Sequence, residues 1–206
     1  MSRGPIPKGD TTQTLLDRLH LTNVRAIELT EALLRLADAN AVTARSEPVD
    51  LAVVADEALL ALRDEADRRP VTIDARLEAA STVGDHTLLT QLTANLIQNA
   101  IRHNHAGGEV RLRTHADAAT SRVTLRVENT GPTYTAALAT QLVEPFLRGA
   151  GRLAAGEGPR SHGLGLALVA QIVAVHDARL SIVPRAGGGL VVSVEFASGA
   201  PGLAHS

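Results

Sequence analysis

The stretch QLTANLIQNAIRHN, Gln91–Asn104, has the spacing of one amphipathic helix. With the residues just before it, Leu88, Leu89, Leu92, Leu96, Ile97, Ala100 and Ile101 fall on a face suited to packing against a sheet. Asn95, Asn99, Arg102 and His103 fall along a second line, at i, i+4, i+7 and i+8. Asparagine is a poor residue for a helix interior, because its amide competes for backbone hydrogen bonds. Two on one stripe raise the question of a task other than folding. An amide oxygen is a hard ligand suited to Mg2+, which keeps several waters and binds phosphates. Arg102 and His103 would add donors for the same phosphates. A solvated polar face, or asparagines bonded to nearby backbone, accounts for this stretch equally well on its own.

Working outward, Asp85 is placed to cap the helix, and TVGD before it reads as a short strand. Beyond the helix, HAGG turns the chain, and EVRLRTH and SRVTLRVEN alternate with period two as an antiparallel pair. Residues 131–162 are irregular and rich in Gly and Ala, long enough to read as a functional flap. HGLGLALVAQIVAVH is a helix led by glycines, and RLSIVPR and GLVVSVEFA close a hairpin across Gly187–Gly189. Upstream, VTIDARL (Val71–Leu77) alternates as a strand. A helix capped by Asp50 is expected to run to Arg69, after a possible short strand in PVDL. Pro48 separates all of this from a helical pattern over Thr11–Ala39. The apolar stripe of that pattern is Leu16, Val24, Ile27 and Leu34. The order predicts a two-layer α/β sandwich, a mixed sheet with helices on one face, preceded by a long N-terminal helix. The expected divisions are a disordered stretch over 1–10, the helix and linker over 11–46, the sandwich over 47–197 and a tail over 198–206.

Composition narrows the function. The chain has 206 residues with no Trp, one Tyr and two Phe, so its core must be aliphatic and base stacking on nucleic acid is disfavoured. A formal net charge of −2 leaves no global basic footprint for nucleic acid or an anionic membrane. Cys is absent, which removes disulfides and thiolate metal sites. No apolar run approaches the length of a membrane span, and MSRGPIPKGD lacks the apolar centre of a signal peptide, so a cytoplasmic location without membrane insertion is expected.

Two more constellations join the opening one. In SHGLGLAL, Gly163 and Gly165 at a helix start let backbone N–H groups approach a phosphate, helped by the helix dipole. In VENTGP, a polar side chain at a strand end is followed by a Gly, a pattern that reads a base edge or forms an ordinary Asn-Thr-Gly turn. Taken together and in order, these segments resemble the ATP-binding domain of sensor histidine kinases, the Bergerat-fold group that also includes gyrase-type ATPases. NLIQNAIRH resembles the N box, ENTGP the first Gly box, LVEPFLRG (Leu142–Gly149) the F box and HGLGLALV the second Gly box. AVHDARLSI fits the family's ending. The resemblance runs from about Thr11 to Phe196, and four weak motifs in the right order make a specific match.

The resemblance implies roles for particular residues. Asn99 would hold Mg2+, Asn95 and Arg102 would line the ATP triphosphate, and His103 would lie near ribose or phosphate. Asn129 stands where the family usually has the Asp that accepts from the adenine amino group, and Gly131 would let the base approach. Phe146 and Arg148 would belong to a lid. Gly163, Leu164, Gly165 and Leu166 would meet the phosphates. Asn129 is a departure: its amide oxygen still accepts, but without full charge the bond is weaker. Glu128, one residue away, points to the other face of its strand. Thr133 stands where the family has a further Gly.

Hydrolytic relatives carry a Glu general base one turn before the metal-binding Asn. Here Asn95 occupies that position, and a neutral amide takes no proton from water. What remains is a site that presents the γ-phosphoryl group to an outside nucleophile. In the resembled family this is a His followed by an acidic residue, on the first helix of a dimerisation hairpin. The 11–39 segment resembles the second helix of that hairpin. His20 is followed by Leu21 and lies on the apolar stripe, as a packing residue does, and His176 reads as a helix-end residue. The expected activity is a histidine protein kinase acting in trans. Its acceptor would be a protein that supplies the missing helix and its His, a response regulator would act downstream, and a homodimer through 11–39 is open. The alternatives are a catalytically silent scaffold that dimerises with a kinase, and an anti-sigma-type serine kinase.

Overall fold

The computed structural model describes residues 46–142 and 164–199. The expected helix over 11–39, His20, Phe146, Arg148 and Gly163 lie outside them, as does the side chain of Leu164. The strands are β1 (Glu47–Asp50), β2 (Val71–Leu77), β3 (Ser81–Gly84), β4 (Gly108–Asp117), β5 (Arg122–Asn129), β6 (Arg179–Pro184) and β7 (Leu190–Ala197). The helices are α1 (Leu51–Ala61), α2 (Arg63–Asp67), α3 (His86–Arg102), α4 (Ala136–Gln141) and α5 (Leu164–Val175).

Five strands form one sheet in the order β2-β4-β5-β7-β6, parallel between β2 and β4 and antiparallel elsewhere. The mixed sheet is therefore as expected. The parallel step arises because α3 crosses over between β2 and β4. β1 and β3 pair separately as a small antiparallel ribbon, so the short strand expected in PVDL exists, shifted to Glu47–Asp50 because Leu51 opens α1.

Alternation sets the two faces of the sheet. Val110, Leu112, Val123, Leu125, Val127, Val192, Val194 and Phe196 are buried in the common core with α3 and α5. All seven apolar residues assigned to the sheet-facing side of α3 are buried there as well. Burying an aliphatic side chain of this size contributes about 1.5–3 kcal/mol, so the predicted stripe by itself explains how α3 is held. Among the described residues Phe196 is the one aromatic buried in this otherwise aliphatic core, with half-buried Tyr134 packed against it. On the opposite face Glu128 Oε1 accepts from Arg126 Nε at 2.8 Å, while Asn129, next in sequence, is buried on the helix side.

The caps are as read. The Asp50 carboxylate accepts from Ala52 N and also from Ala80 N, both at 2.9 Å, and Asp85 Oδ1 accepts from Leu88 N at 3.1 Å. Two local expectations are corrected. The helix expected to continue to Arg69 is interrupted at Leu62, where φ −100° and ψ 4° leave the helical region, and a five-residue α2 follows that ends at Asp67. The segment from residue 131 is not wholly irregular: Thr135 caps α4, its Oγ1 accepting from Leu138 N at 3.2 Å.

Candidate nucleotide site

α5 packs beside α3, and its first turn brings Gly165 against the two asparagines. A methyl group at Gly165 would lie 3.0 Å from Asn99 Nδ2 and 3.3 Å from both Asn95 Oδ1 and Asn99 Oδ1. Asn95 spends its Nδ2 on the Gln91 carbonyl one turn back, at 2.8 Å, which turns its oxygen outward. Among the described residues the Asn99 amide makes no hydrogen bond. Two of the three predicted segments therefore meet side by side.

The two helices share a further clamp. His176, just past the end of α5, accepts from Asp85 N through Nε2 at 3.1 Å, and its Nδ1 lies 2.8 Å from the Ile172 carbonyl. This fixes the neutral tautomer with hydrogen on Nδ1. The ring stands edge-on to Phe196, and a methyl group at Gly84 would come within 2.6 Å of it. His176 is followed by Asp177, the acidic neighbour expected of a phosphoacceptor, but both of its ring nitrogens are engaged within the protein. Reading it as a simple helix-end residue missed that it joins the start of α3 to the end of α5.

The third segment lies at the end of β5. Asn129 is 7% exposed, and its Nδ2 donates to the Thr130 carbonyl at 2.7 Å, which leaves Oδ1 to accept from another group. Gly131 has a packing role that the sequence did not reveal: a methyl group there would come within 2.5 Å of the His103 carbonyl. Gly188 and Gly189 were read only as a turn. Both have positive φ, 97° and 95°, and methyl groups on them would overlap the carbonyls of Gly131 and Asn129. Gly189 N also donates to the Pro132 carbonyl at 2.8 Å. The β6–β7 turn thus presses directly on the Asn129–Pro132 segment. Asn104 and Thr130, which sequence reasoning passed over, tie the same segment to the end of α3. Thr130 Oγ1 donates to Asn104 Oδ1 at 2.6 Å and accepts from Glu109 N at 2.8 Å.

Arg102 is tied to α2: its Nε donates to Glu65 Oε1 at 3.0 Å, a partner that helical spacing does not reveal. His103 caps α3 and keeps solvent access. Desolvation by its surroundings, then the charges of Arg102 and Arg69, hold its pKa below the ordinary imidazole value. It is therefore neutral near pH 7, which suits a hydrogen-bonding role better than that of a fixed cation. Gly163 is not described, but Leu164–Leu166 form the first turn of α5 as expected.

A two-layer sandwich in which a glycine-led helix start faces paired amides, with a buried polar side chain at a strand end, defines a nucleotide-binding class of fold. The particular family follows from comparison. Residues 84–199 match the family described as histidine kinase-, DNA gyrase B-, and HSP90-like ATPase, and the chain belongs to that family. Membership implies ATP binding. The sensor protein CutS of Streptomyces coelicolor is 38% identical over 183 residues, which cover 88% of this chain and 43% of CutS. The sensor protein kinase PmrB of Pseudomonas aeruginosa is 31% identical over 154 residues, 74% of this chain and 31% of that protein. The chain thus spans less than half of these relatives. Among solved structures, the Acinetobacter baumannii histidine kinase AdeS superposes with a TM-score of 0.65 at 21% identity, covering 95% of this chain and 87% of that one. Full-length ShkA in complex with AMPPNP superposes with a TM-score of 0.70 at 21% identity, covering 96% of this chain and 40% of that one. These likenesses agree on the Bergerat-type sandwich. Among the described residues no helix is long and apolar enough to cross a membrane.

Proposed function

We propose that the chain binds Mg-ATP between α3 and α5 and acts as the ATP-binding part of a two-component histidine kinase. It passes the γ-phosphoryl group to a histidine of a separate protein, whose phosphoryl group then goes to an aspartate of a response regulator. The observation that carries this reading is the closeness of Gly165 to the amides of Asn95 and Asn99. The donor set fits a small hard cation: neutral amide oxygens, one amide not spent on the described protein, and a glycine close against both. Asn99 would hold Mg2+, which supplies charge neutralisation across the phosphates when bound.

The chain's own residues do the rest. Backbone N–H groups at Gly163–Leu166, at the positive end of the α5 dipole, hold the phosphates. Asn95 lines the triphosphate through its outward oxygen and a bound water, and it cannot deprotonate that water, so hydrolysis is not assisted. Arg102 supplies positive charge, and neutral His103 hydrogen-bonds ribose or phosphate. Asn129 Oδ1 accepts from the adenine amino group beside Gly131. Phe146 and Arg148 belong to the lid in this proposal. Residues 47–197 form the catalytic unit, while 11–46 provide the docking or homodimer helix. An outside acceptor is supported by His176, whose nitrogens are both engaged.

The test uses the full chain with labelled ATP, Mg2+ and a candidate His-bearing partner. Label should appear on the partner only and should vanish with Asn99→Ala. Acid-labile, base-stable label on the chain alone would overturn the trans arrangement. Failure of the wild type to bind an ATP analogue with Mg2+ would overturn the whole proposal in favour of a silent scaffold.

A further inference from the structure

After the interruption at Leu62, α2 and the residues just beyond it reach the C-terminal end of α3. Both Glu65 oxygens are then spent on α3: Oε2 accepts from Gln98 Nε2 at 2.9 Å and Oε1 from Arg102 Nε at 3.0 Å. One turn further on, Arg69 Nη1 donates to the Arg102 carbonyl at 3.3 Å, and the Pro70 carbonyl accepts from Gly107 N at 2.6 Å. Three links thus bind one short segment to the end of the helix that carries the site, and a fourth binds it to the turn that follows. Glu65 and Arg102 are partly buried, with side chains 22% and 33% exposed, so the pair is ordered more firmly than a surface ion pair. Desolvation works against the Glu65 carboxylate. The hydrogen bonds from Gln98 and Arg102 and the charges of Arg102 and Arg69 outweigh it and hold the pKa below the ordinary value.

Resting on the reading of α3 as a wall of the triphosphate site, we infer that Glu65 is a positioning residue for nucleotide phosphates, acting through Arg102. Gripping a guanidinium by Nε fixes its plane and leaves the two terminal nitrogens as a fork, the geometry that matches phosphate oxygens. Among the described residues neither terminal nitrogen of Arg102 makes a hydrogen bond. A free arginine surrenders rotamer freedom when it binds, and an arginine already held gives up less. A competing effect has the opposite sign, since a carboxylate near the phosphates repels them. Here it is offset by two cations, Arg102 and Arg69, so orientation is expected to outweigh repulsion.

The experiment measures binding of AMPPNP and of adenosine, with Mg2+, to the full chain as wild type, Glu65→Ala, Glu65→Gln, Arg102→Ala and the Glu65→Ala/Arg102→Ala double variant. Glu65→Ala should weaken AMPPNP about tenfold, with adenosine unchanged, because only the triphosphate meets Arg102. The double variant should be within about twofold of Arg102→Ala alone, the signature of one residue working through the other. Glu65→Gln keeps an acceptor for Nε and should stay within about threefold of wild type. Tighter AMPPNP binding by Glu65→Ala or Glu65→Gln would mean that charge, not orientation, dominates, and would overturn the inference. Equal losses for both ligands, or additive losses in the double variant, would reduce Glu65 to a structural tie. Should Glu65→Ala fail to fold, the Arg102 Nε–H resonance of the wild type decides: it should shift with AMPPNP and not with adenosine, and no shift overturns the inference. A wild type that binds neither ligand refutes the site itself, an outcome distinct from all of these.

Discussion

Two groups of glycines flank the candidate site, and they are used in opposite ways. Gly165 faces side chains: a methyl group there would meet the Asn95 and Asn99 amides at 3.0–3.3 Å, and the Asn99 amide is not tied to any described residue. Gly131, Gly188 and Gly189 face backbone: their missing Cβ atoms make room for the carbonyls of His103, Gly131 and Asn129. An amide on a rotatable side chain can move aside, whereas a carbonyl in a strand or helix end cannot move without its element. The first glycine therefore lets α5 approach two side chains that can still rotate, and the second group lets fixed backbone close on itself. Glycines that look alike in sequence stand in two different surroundings.

The sharpest way to break this comparison is Gly189→Ala. Positive φ and overlap with the Asn129 carbonyl together should cost about 3–5 kcal/mol, read as a large fall in the midpoint of chemical unfolding. A near-native midpoint would show that the β6–β7 turn does not press on β5. Asn129→Asp comes next. A carboxylate cannot donate to the Thr130 carbonyl and would face it unprotonated, so the nucleotide-free protein should lose about 1–3 kcal/mol. A gain in stability would show that the amide is not used as a donor there.

Gly165→Ala tests the other half. Its stability should stay within about 1 kcal/mol of wild type, because alanine suits a helix and the Asn99 amide can give way. Mg-ATP binding should nevertheless weaken about tenfold, measured by calorimetry. A large stability loss with unchanged binding would reverse the assignment of the two glycine groups.

The smallest effect concerns His103. A histidine with a lowered folded-state pKa stays neutral in the native state while the unfolded chain takes up a proton. The contribution to stability is thus present above the ordinary value of 6.5 and is lost as pH falls through 6.5 toward the folded-state value. His103→Gln should flatten the unfolding midpoint over that interval, and the imidazole titration followed by NMR should have its midpoint below 6.5.

Much of the fold was legible because its elements follow simple periodicities. The alternation of VTIDARL gave β2 with its observed bounds, and the apolar stripe of α3 was read residue by residue. Asp50 and Asp85 were legible as caps because an Asp before an apolar run satisfies free helix N–H groups wherever it occurs. The break at Leu62 was not legible. Nothing in LRDEADRR interrupts a helical pattern, and the contacts made after the interruption, Glu65 and Arg69 reaching α3, come from distant parts of the chain. Arg102 was placed on the line with Asn95 and Asn99 by angle alone. A long side chain at a helix end goes to the partner it can reach, and that partner lies more than thirty residues earlier in the chain.

Sequence alone determined the sandwich, the family and the pairing of an amide-bearing helix with a glycine-led one, since these rest on residue type and short-range spacing. Tertiary structure alone decided which glycines face backbone and which face side chains, that His176 is a clamp, and that Glu65 holds Arg102. Each of those depends on atoms brought together from distant parts of the chain, where spacing carries no information and only the packing of finished elements sets the distance.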